Sequence, residues 1–320
     1  MDAFLRHGGR LRAARLSFPE APRPWIDLST GVNPWAYPAP RARREDLRRL
    51  PDPEVVAALE ARAARRFGAQ ADRVAAVAGA EAALRLLPRL LPARSVRIAG
   101  FTYGGHAEAW VAAGPSPAVG EADAVVVVNP NNPDGRATPR AELLAEAARL
   151  AARGGWLVVD ESFADLEPSD SVADAGHPAI AVLRSFGKAY GLPGVRLGFV
   201  VAPPALAARV REAVGDWPVS AEALAAGLAA YADDAWLAAV RPRLAAAGAW
   251  LDARLAASGL EAVGGTELFR LARAPDAHAL WARLCAHGIL TRPFAGRPDL
   301  LRFGLPRARE RARLARALTP

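Results

Sequence analysis

Chemistry that needs an amine nucleophile has one side chain available in this chain: forty of its 41 basic residues are arginine and one, Lys188, is lysine. Both types stay protonated at neutral pH, so a drift from lysine to arginine is tolerated wherever only charge matters. It stops where a free amine is required, because burial or neighbouring charge can strip a lysine of its proton, whereas a guanidinium stays charged and attacks carbonyls poorly. Chance survival would also leave one lysine, so the neighbours decide. Lys188 lies in Ser185-Phe186-Gly187-Lys188-Ala189-Tyr190-Gly191-Leu192-Pro193-Gly194-Val195-Arg196, between two apolar runs. The glycines and proline permit a tight folded connection, in which Ser185 and Arg196 aim at an anion while Lys188 reaches a carbonyl.

Four other places carry chemistry-bearing residues at the end of an apolar run. Asp160 follows Trp156-Leu157-Val158-Val159, and Asn132 lies in the loop Asn129-Pro130-Asn131-Asn132-Pro133-Asp134-Gly135. At Gly79-Ala80-Glu81 a strand turns into a helix, whose first N–H groups are free to bind phosphate. Tyr103 follows the run 96–99. Taken singly, each has a commoner use: a strand-end aspartate caps a turn, Asn, Pro and Gly build turns, and a loop tyrosine is half-buried packing. Taken together they meet the demands of pyridoxal 5'-phosphate. That cofactor needs a lysine for its aldehyde, an acid for its pyridine nitrogen, a donor for its ring oxygen, and cationic and backbone donors for its phosphate.

The elements that must position these residues alternate. Between 74 and 202 short apolar runs (74–78, 96–99, 125–128, 156–159, 180–184, 197–202) are separated by helical stretches, the pattern of a mostly parallel α/β sheet. In the clearest unit the strand 125–128 leads through the loop 129–137 to a helix with Thr138 as N-cap and Pro139 at its first position, ending near Arg153 before Gly154 and Gly155. Ligands of such sheets collect at the carboxyl ends of the strands, where the residues above fall. Helical periodicity follows from 203 to about 258, and then a smaller mixed segment with apolar runs near 268–272 and 300–305. The proline-rich first residues read as an extended arm. The expected organisation is an arm over 1–35 that joins the small domain, a large cofactor-binding domain over 36–235, and a small C-terminal domain over 236–320.

Composition narrows the classes. No uncharged apolar run approaches the ~20 residues of a membrane span. The N-terminus shows no secretory pattern, and a single cysteine, Cys285, leaves no intramolecular disulfide, so a cytoplasmic protein is expected. A net charge of +8 is spread over alternating-charge helices such as 41–49 and 307–316, which reads as a generally basic surface and not as a nucleic-acid site. Neither zinc-finger spacing nor a Gly-x-Gly-x-x-Gly after a strand is present, and no metal site is expected.

The segments 79–84, 103, 129–135, 160–163 and 185–198 resemble, in chain order, the successive motifs of the fold-type I aminotransferases of class I/II. The resemblance implies an α/β fold-type I pyridoxal-phosphate-dependent transferase: a large domain with a mostly parallel sheet between helices, a smaller α+β domain, and a homodimer. It implies that Lys188 forms the Schiff base, that Asp160 pairs the pyridine nitrogen, that Asn132 meets the ring oxygen, and that Tyr103 stacks on the ring. Lys188, Asp160 and Tyr103 would be the catalytic residues. Ser185, Arg196 and the Gly79-Ala80-Glu81 turn would hold phosphate, and Arg302, in Leu301-Arg302-Phe303-Gly304, would grip the substrate α-carboxylate. The arm His7-Gly8-Gly9, followed by Trp25-Ile26-Asp27-Leu28-Ser29-Thr30-Gly31-Val32-Asn33-Pro34, is similar to that of threonine-phosphate decarboxylases of the cobalamin pathway. That likeness implies loss of carbon dioxide from L-threonine O-3-phosphate, a small phosphorylated amino acid, with His7, Asn33, Asn132 and Arg302 on the substrate side. Histidinol-phosphate-type aminotransferases share the remaining motifs and stand as the alternative. Phe163 stands where many relatives carry a tyrosine that donates to the ring oxygen, a departure that fits a decarboxylase better. Leu50 stands where relatives often have a tyrosine reaching the neighbouring subunit's phosphate.

Overall fold

The computed structural model describes residues 2–319. Their largest sheet orders its strands Val74–Val77, Gly198–Val201, Ile180–Ser185, Trp156–Asp160, Ala124–Val128, Ser95–Ile98 and Ser116–Pro117. Gly198–Val201 runs antiparallel to both neighbours, and every other pairing is parallel. The central strands are runs of valine, isoleucine, leucine and alanine buried on both faces, as a sheet covered on two sides demands. Crossover helices supply the cover. Val77, Leu84, Leu87, Trp110, Val126, Val158 and Leu183 belong to one continuous core, and burying each leucine there contributes roughly 1.5–3 kcal/mol.

Register brings the carboxyl ends of three strands level. Val128 pairs with Asp160, and Asp160 with Leu183. The Asn129 N–H donates to the Asp160 carbonyl and the Glu161 N–H to that of Leu183, both at 2.9 Å. The loops bearing Asn132, Asp160 and Lys188 therefore leave the sheet side by side.

Two local expectations between residues 36 and 237 are corrected. The helix after Ala124–Val128 spans Arg140–Ala151 with Pro139 at its N-cap, one residue later than expected, because the Thr138 N–H is drawn back to the Asn129 side-chain oxygen at 2.7 Å. Residues 41–49 are not a helix. Prolines at 38, 40, 51 and 53 bracket the segment, and only the 3-10 turn Asp46–Arg48 forms, beside the Arg43–Asp46 ion pair at 2.9 Å. The second stretch named for charge alternation does form a helix, Ala308–Leu318.

Contacts group residues 36–132 and 136–237 into one unit, and 1–35, 133–135 and 238–320 into another. The first holds the large sheet. The second holds an antiparallel sheet ordered Arg292–Phe294, Arg297–Gly304, Phe269–Arg273 and Glu261–Thr266, and a parallel pair of Ile26–Asp27 with Ile289–Leu290. The first 35 residues are not simply extended. Asp2–Arg6 and Leu11–Ser17 are helices, since the prolines begin only at 19 and Leu11–Leu16 is a run of good helix formers. Phe4 and Phe18 pack on the Trp281 ring at 4.8 and 5.8 Å between centroids, which fixes this segment to its unit. Among the described residues no single helix is long and apolar enough to cross a membrane.

Candidate active site

Asp160 ends its strand fully buried, where an ionised carboxylate needs donors. His106, on the helix Gly105–Ala113, supplies one: its Nε2 is 2.9 Å from Asp160 Oδ2. The Ser162 N–H, at 3.0 Å, and the Ser162 hydroxyl donate to Oδ1. Burial alone would push the carboxyl up, but His106 and Ser162 outweigh it and hold Asp160 below the ordinary carboxylate value. A buried anion so prepared is suited to face a protonated ring nitrogen. Sequence reasoning missed His106; the available signal was a histidine one helical turn beyond Tyr103.

Lys188 is half-buried in the four-residue helix Phe186–Ala189, directly after the strand Ile180–Ser185. Its ammonium lies 5.5 Å from the centroid of the Phe163 ring, on the loop that follows Asp160. Phe163 thus presents an aromatic face, with no hydroxyl, to the Lys188 ammonium.

The phosphate donors expected from sequence gather at one turn. Gly79 has φ +88° and ψ 154°, a conformation open essentially to glycine alone. A Cβ there would lie 2.5 Å from Arg196 Nη2, and a Cβ on Gly198 would lie 2.5 Å from the Ala80 nitrogen. Two missing side chains therefore leave a cradle in which the Arg196 guanidinium and the first N–H groups of the helix Ala80–Leu90 meet. Ser185 pairs across the sheet with Gly198 and so borders the same cradle. Arg196 itself adopts a left-handed backbone, φ 58° and ψ 57°, which turns its side chain back to accept this place, with Nη1 donating to the Pro193 carbonyl at 3.1 Å. Of Glu81 only the backbone serves the cradle. Its carboxylate accepts from Arg85 at 2.7 Å and from the Tyr103 hydroxyl at 3.1 Å. Burial, reinforced by Glu81, pushes the Tyr103 phenol well above its usual range, so it stays protonated with its ring fixed beside His106.

The loop before Asn132 is locked by its other asparagines. Asn129 exchanges hydrogen bonds with the Thr138 backbone at 2.7 and 3.1 Å, while Asn131 donates to the Phe101 carbonyl at 3.0 Å and accepts from the Thr102 hydroxyl at 2.6 Å. Asn132, the next residue of the same loop, is partly exposed.

In the smaller unit Ser29 joins Arg302 to the two glycines that follow His7. Gly9 donates its N–H to the Ser29 hydroxyl at 2.7 Å, that hydroxyl donates to Asp27 at 2.6 Å, and Arg302 Nη2 donates to the Ser29 carbonyl at 3.0 Å. Gly8 packs so closely that a Cβ would sit 2.3 Å from the same carbonyl oxygen. His7-Gly8-Gly9 is therefore a docked turn next to buried Arg302. Asn33 is buried and accepts from the Trp35 N–H at 2.9 Å.

A lysine after a strand, a buried aspartate held ionised and a glycine-bounded cradle with a guanidinium thus stand at the carboxyl ends of their strands. Residues 116–318 match the family described as Aminotransferase class I and II. The chain belongs to that family. The fold is that of its fold-type I members: a histidinol-phosphate aminotransferase from Sinorhizobium meliloti, solved with pyridoxal-5'-phosphate, superposes with a TM-score of 0.84 at 22% identity over 96% of this chain and 92% of that one. Two aminotransferase-family relatives are more alike in sequence, and both are named threonine-phosphate decarboxylase. The one from Sinorhizobium sp is 44% identical over 99% of this chain and 98% of its own, and that from Pseudomonas aeruginosa is 40% identical over 95% and 93%.

Proposed function

We propose that this chain is a pyridoxal-phosphate-dependent decarboxylase that converts L-threonine O-3-phosphate to 1-aminopropan-2-ol phosphate and carbon dioxide in cobalamin biosynthesis. The choice of substrate rests on one observation: the likeness to relatives bearing that name extends over nearly the whole chain, arm included. The cradle at Gly79 and Arg196 and the buried Asp160 anion fit the cofactor, the first as a phosphate site and the second as a partner for a protonated pyridine nitrogen.

When bound, the cofactor supplies an electron sink for the pair released by a broken bond at the substrate Cα. The residues of this chain prepare and direct that chemistry. Lys188 would provide the amine that holds the cofactor, and the same amine would carry a proton to the substrate Cα. Asp160 keeps the pyridine nitrogen protonated, with His106 and Ser162 keeping Asp160 ionised. Ala80 and Glu81 through their N–H groups, with Gly79, Ser185 and Arg196, would hold the phosphate; Asn132 would serve the ring oxygen, and Tyr103 the ring. His7, Asn33 and Arg302 hold the substrate's anionic groups. By orienting the bonds at the substrate Cα, the substrate-side residues would select which of them breaks.

We take the enzyme to be a cytoplasmic homodimer acting on a small phosphorylated amino acid, away from membranes and nucleic acid. The alternative, histidinol-phosphate-type transamination, requires a keto acid. Purified protein with pyridoxal phosphate and threonine phosphate, and no keto acid, is expected to release carbon dioxide stoichiometrically with amine product; a keto-acid requirement would favour the transaminase.

A further inference from the structure

Immediately behind the candidate site, Arg184 is buried between two buried carboxylates. Its Nη1 donates to Glu161 Oε2 at 2.7 Å, its Nη2 donates to Asp165 Oδ1, and its guanidinium carbon lies 4.5 Å from the centroid of the Phe67 ring. Glu161 also accepts from the Ser171 hydroxyl and the Val172 N–H, each at 2.7 Å. Alternation along an extended chain explains the placement: Arg184 precedes Ser185 and Glu161 follows Asp160, so each turns away from its site-facing neighbour.

Burial opposes the charge on Arg184, but Asp165 and Glu161 outweigh it and raise its pKa, so the cation persists. Such a cluster is a poor source of stability, because desolvation offsets most of the attraction, and apolar residues of similar volume would hold two strands as well. What apolar residues lack is direction. A guanidinium bonded to two carboxylates four residues apart fixes the loop between them in one orientation against the strand Ile180–Ser185. That loop contains Ser162, which donates to Asp160, and Phe163, whose ring faces the Lys188 ammonium.

We infer that Arg184, Glu161 and Asp165 form a positioning clasp for the reaction: by tying the 160–165 loop to the strand that leads into Lys188, they set the Asp160 carboxylate and the Lys188 amine in working relation. The three bond one another and the protein around them; they act through Asp160, Ser162, Phe163 and Lys188. The inference rests on the reading of Asp160 and Lys188 as the cofactor's partners.

The test uses the full-length holoenzyme and two substitutions that preserve shape, Glu161→Gln, which removes charge, and Arg184→Lys, which keeps charge but loses the two-pronged donor. Circular dichroism and uptake of pyridoxal phosphate are expected to remain as in the unaltered protein. Misplacement of reacting groups should lower kcat about 10- to 100-fold. KM should stay within about threefold, as for a loss felt in the transition state. Amide hydrogens of 160–166 should exchange faster as the loop loosens, and the absorbance of the bound cofactor should titrate at a shifted pH, which a clasp serving stability alone would not produce in a folded variant. Unchanged kcat and an unchanged absorbance titration in folded variants would overturn the inference. So would failure of both variants to fold, which would assign the cluster to stability. If the unaltered protein takes up no cofactor, it is the reading of Lys188 and Asp160 that falls, before any variant is compared.

Discussion

His106 Nε2 lies 2.9 Å from Asp160 Oδ2, with both side chains buried and 54 residues apart in sequence. The pair joins the first turn of one crossover helix to the carboxyl end of a central strand. Its consequence is electrostatic, since burial favours the neutral acid and the imidazole favours the anion.

Replacing His106 by alanine leaves burial as the leading influence on Asp160, so its pKa should rise. A carboxylate whose folded value is depressed contributes stability above its unfolded value and loses it as pH falls through the folded value. The acid limb of activity and of cofactor retention is therefore expected to move to higher pH in His106→Ala. Loss of the partner should also lower kcat about 10- to 100-fold at neutral pH. A pH–rate profile with parallel absorbance spectra checks both.

Lys188→Arg preserves charge and removes the nucleophile. Turnover should fall by about three orders of magnitude or more, in line with the loss of a proton-transferring group. The folded variant should gain no mass after pyridoxal phosphate and borohydride, whereas the unaltered protein gains one cofactor equivalent by mass spectrometry.

At the cradle, Gly79→Ala places a methyl 2.5 Å from Arg196 Nη2 and forces alanine into the glycine region of backbone space. The strain should cost about 1–3 kcal/mol, read from thermal or denaturant unfolding. Displacement of Arg196 should weaken cofactor binding about tenfold or more, the loss of one charge-assisted phosphate contact. Titration of the apoenzyme with pyridoxal phosphate measures that effect.

In the smaller unit, Ser29→Ala deprives the Gly9 N–H and the Asp27 carboxylate of their shared hydroxyl. Unsatisfied groups of this kind cost about 1–3 kcal/mol. Loosening of the His7 turn should raise KM for threonine phosphate more than it lowers kcat. Steady-state kinetics at saturating cofactor separate the two.

Much of the large sheet was legible in sequence. Runs of β-branched and aliphatic residues at 125–128, 156–159 and 180–184 mark strands buried on both faces, and the Asn-Pro loop after the first and the glycines and Pro193 after the third mark where those strands end; these are local signals. Lys188, Asp160 and Asn132 could be placed at strand ends for the same reason. The shortfalls have local causes too: the Asn129 side chain holds back the helix start at Thr138, and proline brackets cancel the helical promise of 41–49.

The amino-acid sequence by itself determined that one amine was available, that it followed a buried strand, and that glycine-rich turns stood ready for an anion. Those features depend on residue type and on neighbours a few positions away. Only the tertiary structure decided the partners: His106 behind Asp160, Arg184 clamped by Glu161 and Asp165, the Glu81 carboxylate committed to Arg85 and Tyr103, and the His7 turn docked on Ser29. These pairings follow from strand order and register. Periodicity tells which side of an element is buried, but only the assembled sheet determines what it is buried against.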